Sequence, residues 1–379
     1  MLMKRLAFLL CIPLLPAVSF AGDPLVDNSK AGADGPHVFY RGSNVVVKTI
    51  EQQDTAKVVR VKYHTKRDGI QLRCALPESG DAFTFPLHNK YKVEKDRYAL
   101  PDRMLVISDI EGNFEAFKQL LRGGGVIDPS FKWSYGEGHL VLVGDFFDRG
   151  LNVTEVLWLI YKLEPEAEAA GGKVHFILGN HEVMNLCGEY GYVRNKYLEN
   201  AQLIGEDYRL WFDDHSELGR WLRTKNAVEK IGDYVFCHGG ISPILASTTL
   251  TLSDINRISR QHLGTNYGEI TDSVAQYVYD TRQGIFWYRD GAKNKLTIEQ
   301  MDAILAFAGA KRMVVGHTLM PEITALYDGR LICMDLYHDE NQRAGNLRTL
   351  VIEDGLTYSL NTSGEKNSVF SVVFKAKEE

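Results

Sequence analysis

The sequence predicts an α/β domain behind a small antiparallel β module, and three observations carry that expectation. From Met104 to Leu178, apolar runs of strand length alternate with segments of helical period. The order strand, helix, strand, helix, strand requires parallel pairing with right-handed crossovers. Each of these strands delivers polar residues at its carboxyl end. Before them, from His37 to about Leu100, short runs alternate apolar and polar residues between turn signals such as Asp68-Gly69 and Ser79-Gly80-Asp81.

Taken in order, the chain opens with Lys4 and Arg5, an apolar run from Leu6 to Val18 and the small residues Ser19-Phe20-Ala21. This is the pattern of a signal peptide, residues 1–21, cleaved after Ala21. The run is too short to span a bilayer, so the expectation is an exported protein, periplasmic or secreted, with no stable membrane anchor after cleavage. Cleavage removes Lys4, Arg5 and Cys11 and takes the formal charge from −6 to −8. An acidic chain without a long Lys/Arg block is not expected to bind nucleic acid. Cys74, Cys187, Cys237 and Cys333 remain, widely spaced and outside any CxxC pattern, and read as buried free thiols.

Residues 22–37, small and polar, predict a flexible mature N-terminus. Residues 38–100 form the β module, with strands expected at Asn44 to Ile50, Val59 to His64, Ile70 to Leu76 and Ala82 to Leu87. Its Lys/Arg excess reads as a solvated face. Residues 101–379 form the main domain. Met104 to Ser108 is a buried strand, followed by a helix with Phe114, Phe117, Leu120 and Leu121 on one face, which ends at Gly123-Gly124-Gly125. Leu140 to Val143 is the next strand. Val153, Val156, Leu157 and Ile160 mark a second helix, and Lys173 to Leu178 a third strand. Helical insertions are expected near 188–232 and 252–309. Tyr234 to Cys237 and Arg312 to Val315 are further strands, and the tail reads as strands near Ile323, Leu331 to Met334, Leu347 to Ile352 and Phe370 to Phe374.

Five strand ends hold the chemistry. They carry Asp109 and Glu111; Asp145, Asp148 and Arg149; Asn180 and His181; His238; and His317. A single Asp there is usually a helix cap, and a single His near Gly is usually structural. Together they form a set of oxygen and nitrogen donors sufficient for two divalent cations.

These segments stand as SDIEGN, GDFFDRG, GNHEVMN, CHGGIS and VVGHT, and in that order they resemble the calcineurin-like metallophosphoesterases. DRG, GNHE followed by VMNL, the single His of the last motif and FWYRD are similar to the bacterial Shewanella-like phosphoprotein phosphatases. The resemblance covers roughly Met104 to Ile352. It implies a β-sandwich flanked by helices and a phosphomonoesterase whose nucleophile is a hydroxide bridging two metal ions. The substrate it implies is a phosphorylated protein (Ser/Thr or Tyr), a peptide or a small phosphomonoester. It implies His181 as general acid, Asp148 as its orienting partner, and Arg149 and Arg289 as phosphate ligands.

In one respect the chain departs from the family, because Glu111 stands where a metal-binding histidine is usual. With Glu111 as a ligand, one ion has Asp109, Glu111 and the bridging Asp145, and the other has Asp145, Asn180, His238 and His317. Carboxylates suit Mg²⁺, Mn²⁺ or Ca²⁺, and imidazoles suit Zn²⁺, Fe or Mn²⁺, so Mn²⁺ is the ion both positions accept. Two other functions use the same motifs: a nucleotidase or dinucleotide polyphosphate hydrolase on this scaffold, and a catalytically degenerate metal-binding interaction protein.

Overall fold

A computed structural model describes residues 32–54 and 56–370. The expected signal peptide lies outside the described residues, as does the N-terminus up to residue 31. Three strands form an antiparallel meander, β1 (Asp34–Arg41), β2 (Asn44–Gln53) and β3 (Ala56–His64), followed by the hairpin β4 (Gln71–Ala75) and β5 (Ala82–Pro86). The short β6 (Arg97–Tyr98) leaves the module and pairs with the main domain.

The main domain begins β7 (Arg103–Ile107), α1 (Phe114–Gly123), β8 (His139–Val143), α2 (Val153–Ala169), β9 (Lys173–Ile177), α3 (Asn180–Cys187). It continues with α4 (Asn195–Ile204), α5 (Glu217–Leu222), β10 (Val228–Ile231), β11 (Tyr234–Cys237), α6 (Pro243–Ala246), α7 (Leu252–His262), α8 (Ser273–Tyr279) and α9 (Ile298–Ala308). The last elements are β12 (Arg312–Val315), β13 (Thr324–Leu326), β14 (Leu331–Cys333), α10 (His338–Arg343), β15 (Arg348–Glu353), β16 (Leu356–Asn361) and β17 (Lys366–Ser368).

Two six-stranded sheets result, ordered β17-β16-β15-β7-β8-β9 and β13-β14-β12-β11-β10-β6. Strand alternation packs them into the expected sandwich. Met104, Val106, Val141 and Val143 from the first sheet meet Tyr234, Phe236, Val314 and Ile332 from the second in one apolar cluster. The intervening residues, Leu105, Ile107, Leu140 and Leu142 on one side and Val235, Cys237, Met313 and Val315 on the other, face the helices. The strands that carry the motifs are therefore divided between two sheets. β7, β8 and β9 are parallel neighbours in the first, and β11, β12 and β14 are parallel neighbours in the second.

The structure corrects three expectations. The flexible N-terminus was set to end at residue 37, but β1 starts at Asp34, and Asp34 and His37 are buried. Asn200 Nδ2 donates to Asp34 Oδ2 at 3.1 Å, so these small polar residues are held by tertiary contacts that composition does not reveal. The β module has no core of its own. Val38, Phe39, Leu72 and Phe85 belong to the same cluster as Leu157 and Phe176, and Trp158 Nε1 donates to Pro36 O at 2.8 Å. The 188–232 insertion is helical only as far as α5, because Val228–Ile231 is strand β10. The tail also contains a helix, α10, in the gap between the strands expected at Leu331 to Met334 and Leu347 to Ile352. Of the strand expected at Phe370 to Phe374, everything after Phe370 lies outside the described residues. The four cysteines from Cys74 onward are buried free thiols, and among the described residues no helix is long and apolar enough to cross a membrane.

Candidate active site

The carboxyl ends of β7, β8, β9, β11 and β12 converge, and the backbone there is unusual. Asp109, Glu111, Asp145, Asp148, Arg149 and His317 all have φ between +48° and +72°. Non-glycine residues rarely adopt this conformation, which costs of order 1–3 kcal/mol each and persists where surrounding structure enforces it. The enforcement is visible as a ladder between two loops. Asp109 N donates to Gly144 O at 3.0 Å, Glu111 N to Asp145 O at 3.0 Å, Gly112 N to Phe146 O at 3.1 Å and Gly150 N to Glu111 O at 2.8 Å. Gly144 has to be glycine, since a Cβ would stand 2.6 Å from His238 Nδ1 at φ +83°.

Asp145 is at the centre, 2% exposed. Its Oδ1 accepts from His181 N at 2.9 Å, and its Oδ2 stands 3.0 Å from His238 Nε2 and 3.7 Å from His181 Nε2. Burial opposes its charge, but His238 and His181 outweigh burial and hold the carboxyl below its ordinary range. His238 Nδ1 donates to Val143 O at 2.8 Å, which leaves Nε2 facing both Asp145 Oδ2 and Asn180 Oδ1, each at 3.0 Å. His317 Nε2 donates to Trp287 O at 3.1 Å and so keeps its lone pair on Nδ1. Burial, His238 and Arg289 push His317 well below the usual imidazole value.

Asp145, His238 and His317 thus present one donor atom each, within 4.8 Å of one another. Two ligands at right angles about 2.1 Å from an ion lie about 3.0 Å apart, the separation of His238 Nε2 from Asp145 and from Asn180. The donor set and its spacing fit a divalent cation.

Beside it stands a hydrogen-bonded histidine–carboxylate pair. His181 Nδ1 donates to Asp148 Oδ2 at 2.6 Å, and Asp148 Oδ1 accepts from Asn185 Nδ2 at 2.9 Å. Burial disfavours the charged ring, yet Asp145 and Asp148 together raise His181 above its ordinary value. The Tyr192 ring lies 5.1 Å from the His181 ring and 5.2 Å from the Arg149 guanidinium.

Asp109, Glu111, Arg149 and Arg289 line the same cleft of about 570 Å³ with Asp145, His181 and His317. Asp109 is fixed by Ser108 Oγ and by the His317 amide, 3.2 Å from either oxygen. Arg289 Nη1 donates to His317 O, so its stem is tied beside the histidine. Glu111 is ion-paired with Arg149 and lies within ligand spacing of Asp145 and His181. Asp109 belongs to none of the three-residue donor groups among the described residues, whereas Glu111 and Asp145 share one with His181.

Three supporting residues were missed. Glu182, fully buried, accepts from Gly179 N at 2.6 Å, Asp145 N at 2.9 Å and Phe146 N at 2.8 Å, and so joins two motif loops. Asn185 holds Asp148 and is in turn held by Tyr208 OH at 2.9 Å. Both lay in GNHEVMN, and the i,i+4 spacing of His181 and Asn185 on one helix could have revealed the second. Asp335, just beyond β14, is 8% exposed in the cleft wall. Burial and Asp145 push its carboxyl up to about 7, and no motif marks it.

The profile of the calcineurin-like phosphoesterase family matches residues 103–321. Shewanella-like protein phosphatase 1 of Plasmodium berghei (strain Anka) is 31% identical over 242 residues, which are 62% of this chain and 65% of that protein. The match therefore spans just under two thirds of that relative's length. Shewanella-like protein phosphatase 2 of Arabidopsis thaliana is 27% identical over 274 residues, 60% of this chain and 69% of that protein. The crystal structure of the cold-active protein-tyrosine phosphatase of a psychrophile, Shewanella sp., superposes with a TM-score of 0.79 at 29% identity, covering 89% of this chain and 99% of that one.

Proposed function

This chain belongs to the calcineurin-like phosphoesterase family, and from that premise we propose that it is a metal-dependent phosphoprotein phosphatase with a preference for phosphotyrosine. The observation that carries the reading is one cleft in which a divalent-cation donor set, the Asp148–His181 pair and two arginines face each other. A structural metal site has no use for a buried proton carrier or a phosphate clamp.

Bound divalent ions supply an activated water and neutralise charge on the phosphoryl oxygens. Asp145 lies in both donor groups and is assigned as the shared carboxylate. Asn180, His238 and His317 are assigned to one ion, and Asp109 to the other. Mn²⁺ is the ion compatible with both positions. His181 is assigned as the acid that gives its Nε2 proton to the leaving oxygen, with Nδ1 anchored on Asp148 so that the ring keeps one orientation. Arg149 and Arg289 are assigned to the phosphate oxygens, which a planar guanidinium meets with two parallel hydrogen bonds. Arg149 pairs with Glu111 through Nη1, which leaves Nη2 and Nε for the phosphate.

Two observations support an aromatic phospho-residue. Leu319 and Tyr337, both 45% exposed, lie in the cleft wall, and Tyr192 covers the Arg149 side. The solved relative described above is named a protein-tyrosine phosphatase. With Mn²⁺ present, phosphate release is expected to be fastest from phosphotyrosine peptides, slower from phosphoserine and phosphothreonine peptides, and negligible from dinucleoside polyphosphates. Preferred turnover of the dinucleotides would replace this reading with the nucleotide-hydrolase alternative.

Export is the proposed destination, supported by Lys4-Arg5, the apolar run and Ser19-Phe20-Ala21. Amino-terminal sequencing of protein from the exported fraction should begin at Gly22, and a chain that retains Met1 would contradict it.

A further inference from the structure

We propose that Asp335 supplies a carboxylate to the ion held at Asp109 and Asp145, in the position that Glu111 leaves by pairing with Arg149. The inference rests on the metal-dependent reading above.

Topology brings Asp335 to the site. β14 runs parallel to β12 in register Met313↔Leu331 to Val315↔Cys333, so its carboxyl end opens on the same edge as His317. Met334 N donates to Val315 O at 2.9 Å and Met320 N to Asp335 O at 2.8 Å, which locks the exit of β14 against the loop that carries His317. From the other side, His338 Nε2 donates to Ser108 O at 2.9 Å, next to Asp109. Asp335 is thus held between the loops bearing His317 and Asp109.

Its carboxylate has no ordinary structural partner. It is only 8% exposed, and among the described residues no hydrogen bond or ion pair reaches its side chain. It does not cap the helix that follows, since α10 begins after Tyr337 with no side-chain cap. The charges facing it most strongly are those of Asp145, His238, Arg149 and Arg289. It is also the strongest charged influence on Asp109, ahead of Asp145. Asp109, Asp145 and Asp335 line one cleft, and buried carboxylates that share a cleft repel unless a cation stands among them.

Glu111, by contrast, has a partner. Its carboxylate is paired with Arg149. The sequence change that replaces a histidine by Glu111 therefore moves that side chain onto an arginine, and Asp335 is a buried carboxylate in the cleft it shares with Asp109. An all-oxygen position of Asp109, Asp145 and Asp335 favours hard ions such as Mn²⁺ or Mg²⁺, beside a softer one that includes His238 and His317.

The test counts ions rather than turnover. Chelated full-length protein is titrated with Mn²⁺ by equilibrium dialysis with metal analysis, for the wild type, Asp335→Asn, Glu111→Gln and His317→Ala. The wild type is expected to bind two ions. Asp335→Asn should keep one and bind the other at least about tenfold more weakly, while Glu111→Gln keeps both and His317→Ala loses the second. Thermal unfolding of metal-free Asp335→Asn should be no lower than wild type, because a repulsive charge is gone, and Mn²⁺ should raise its melting temperature less. Two ions bound by Asp335→Asn with unchanged affinity would overturn the proposal, as would a lower metal-free melting temperature, which marks a structural role. No Mn²⁺ bound by the wild type would overturn the metal-dependent reading itself.

Discussion

Asp145→Asn is expected to abolish the tight binding of both ions and to lower turnover by about 10³-fold or more, since a catalytic metal contributes several kcal/mol and each 1.36 kcal/mol is tenfold. Asp145 is the residue common to both donor groups and is 2% exposed. The substitution keeps the shape of the side chain and removes its charge. It leaves His238 Nε2 facing two neutral amide groups, and His181 without the largest of the charges that raise it. The check is Mn²⁺ stoichiometry together with steady-state hydrolysis of p-nitrophenyl phosphate. Turnover within tenfold of wild type would remove Asp145 from the shared position.

His181→Ala should behave differently, because its loss depends on the substrate. A positioned general acid contributes roughly 10²–10⁴ in rate where the departing oxygen needs a proton. Phosphoserine peptides should lose that much, and p-nitrophenyl phosphate, whose leaving group is stable as an anion, should lose far less. Equal losses on both would take His181 out of the acid role. A companion change separates acid from scaffold. Asp148 raises the His181 value through a hydrogen bond and its charge. Asp148→Asn should therefore lower it and move the alkaline limb of the rate profile, where the acid loses its proton, to lower pH. Metal content should not change, because Asp148 lies in neither donor group.

What the sequence disclosed was local. Leu140 to Val143 ending in Gly144-Asp145 is legible because an apolar run that stops at glycine and carboxylate has few other meanings, whereas the helix α3 that GNHE opens was not expected. The distribution of strands over two sheets was not legible. β7, β8, β11 and β12 are buried on both faces, and an unbroken apolar run does not state its neighbour. For the same reason the face Val153, Val156, Leu157 and Ile160 understates α2, which is buried all round from Val153 to Glu164 because the β module covers its outer side. The α10 stretch HDENQR is polar throughout and has no period to read. In the site, donors inside motifs were found, and partners set by distant contacts were not. Glu111 meets Arg149 from a separate loop, and Asp335 becomes a site residue only because β14 lies beside β12.

The most direct measurement is phosphate release from a phosphotyrosine peptide by the chelated protein as Mn²⁺ is titrated back, with bound metal counted at each step. The metal-dependent phosphatase predicts no turnover without metal and full turnover as the second ion binds. Turnover that survives chelation would contradict it, and so would two bound ions with no phosphate released.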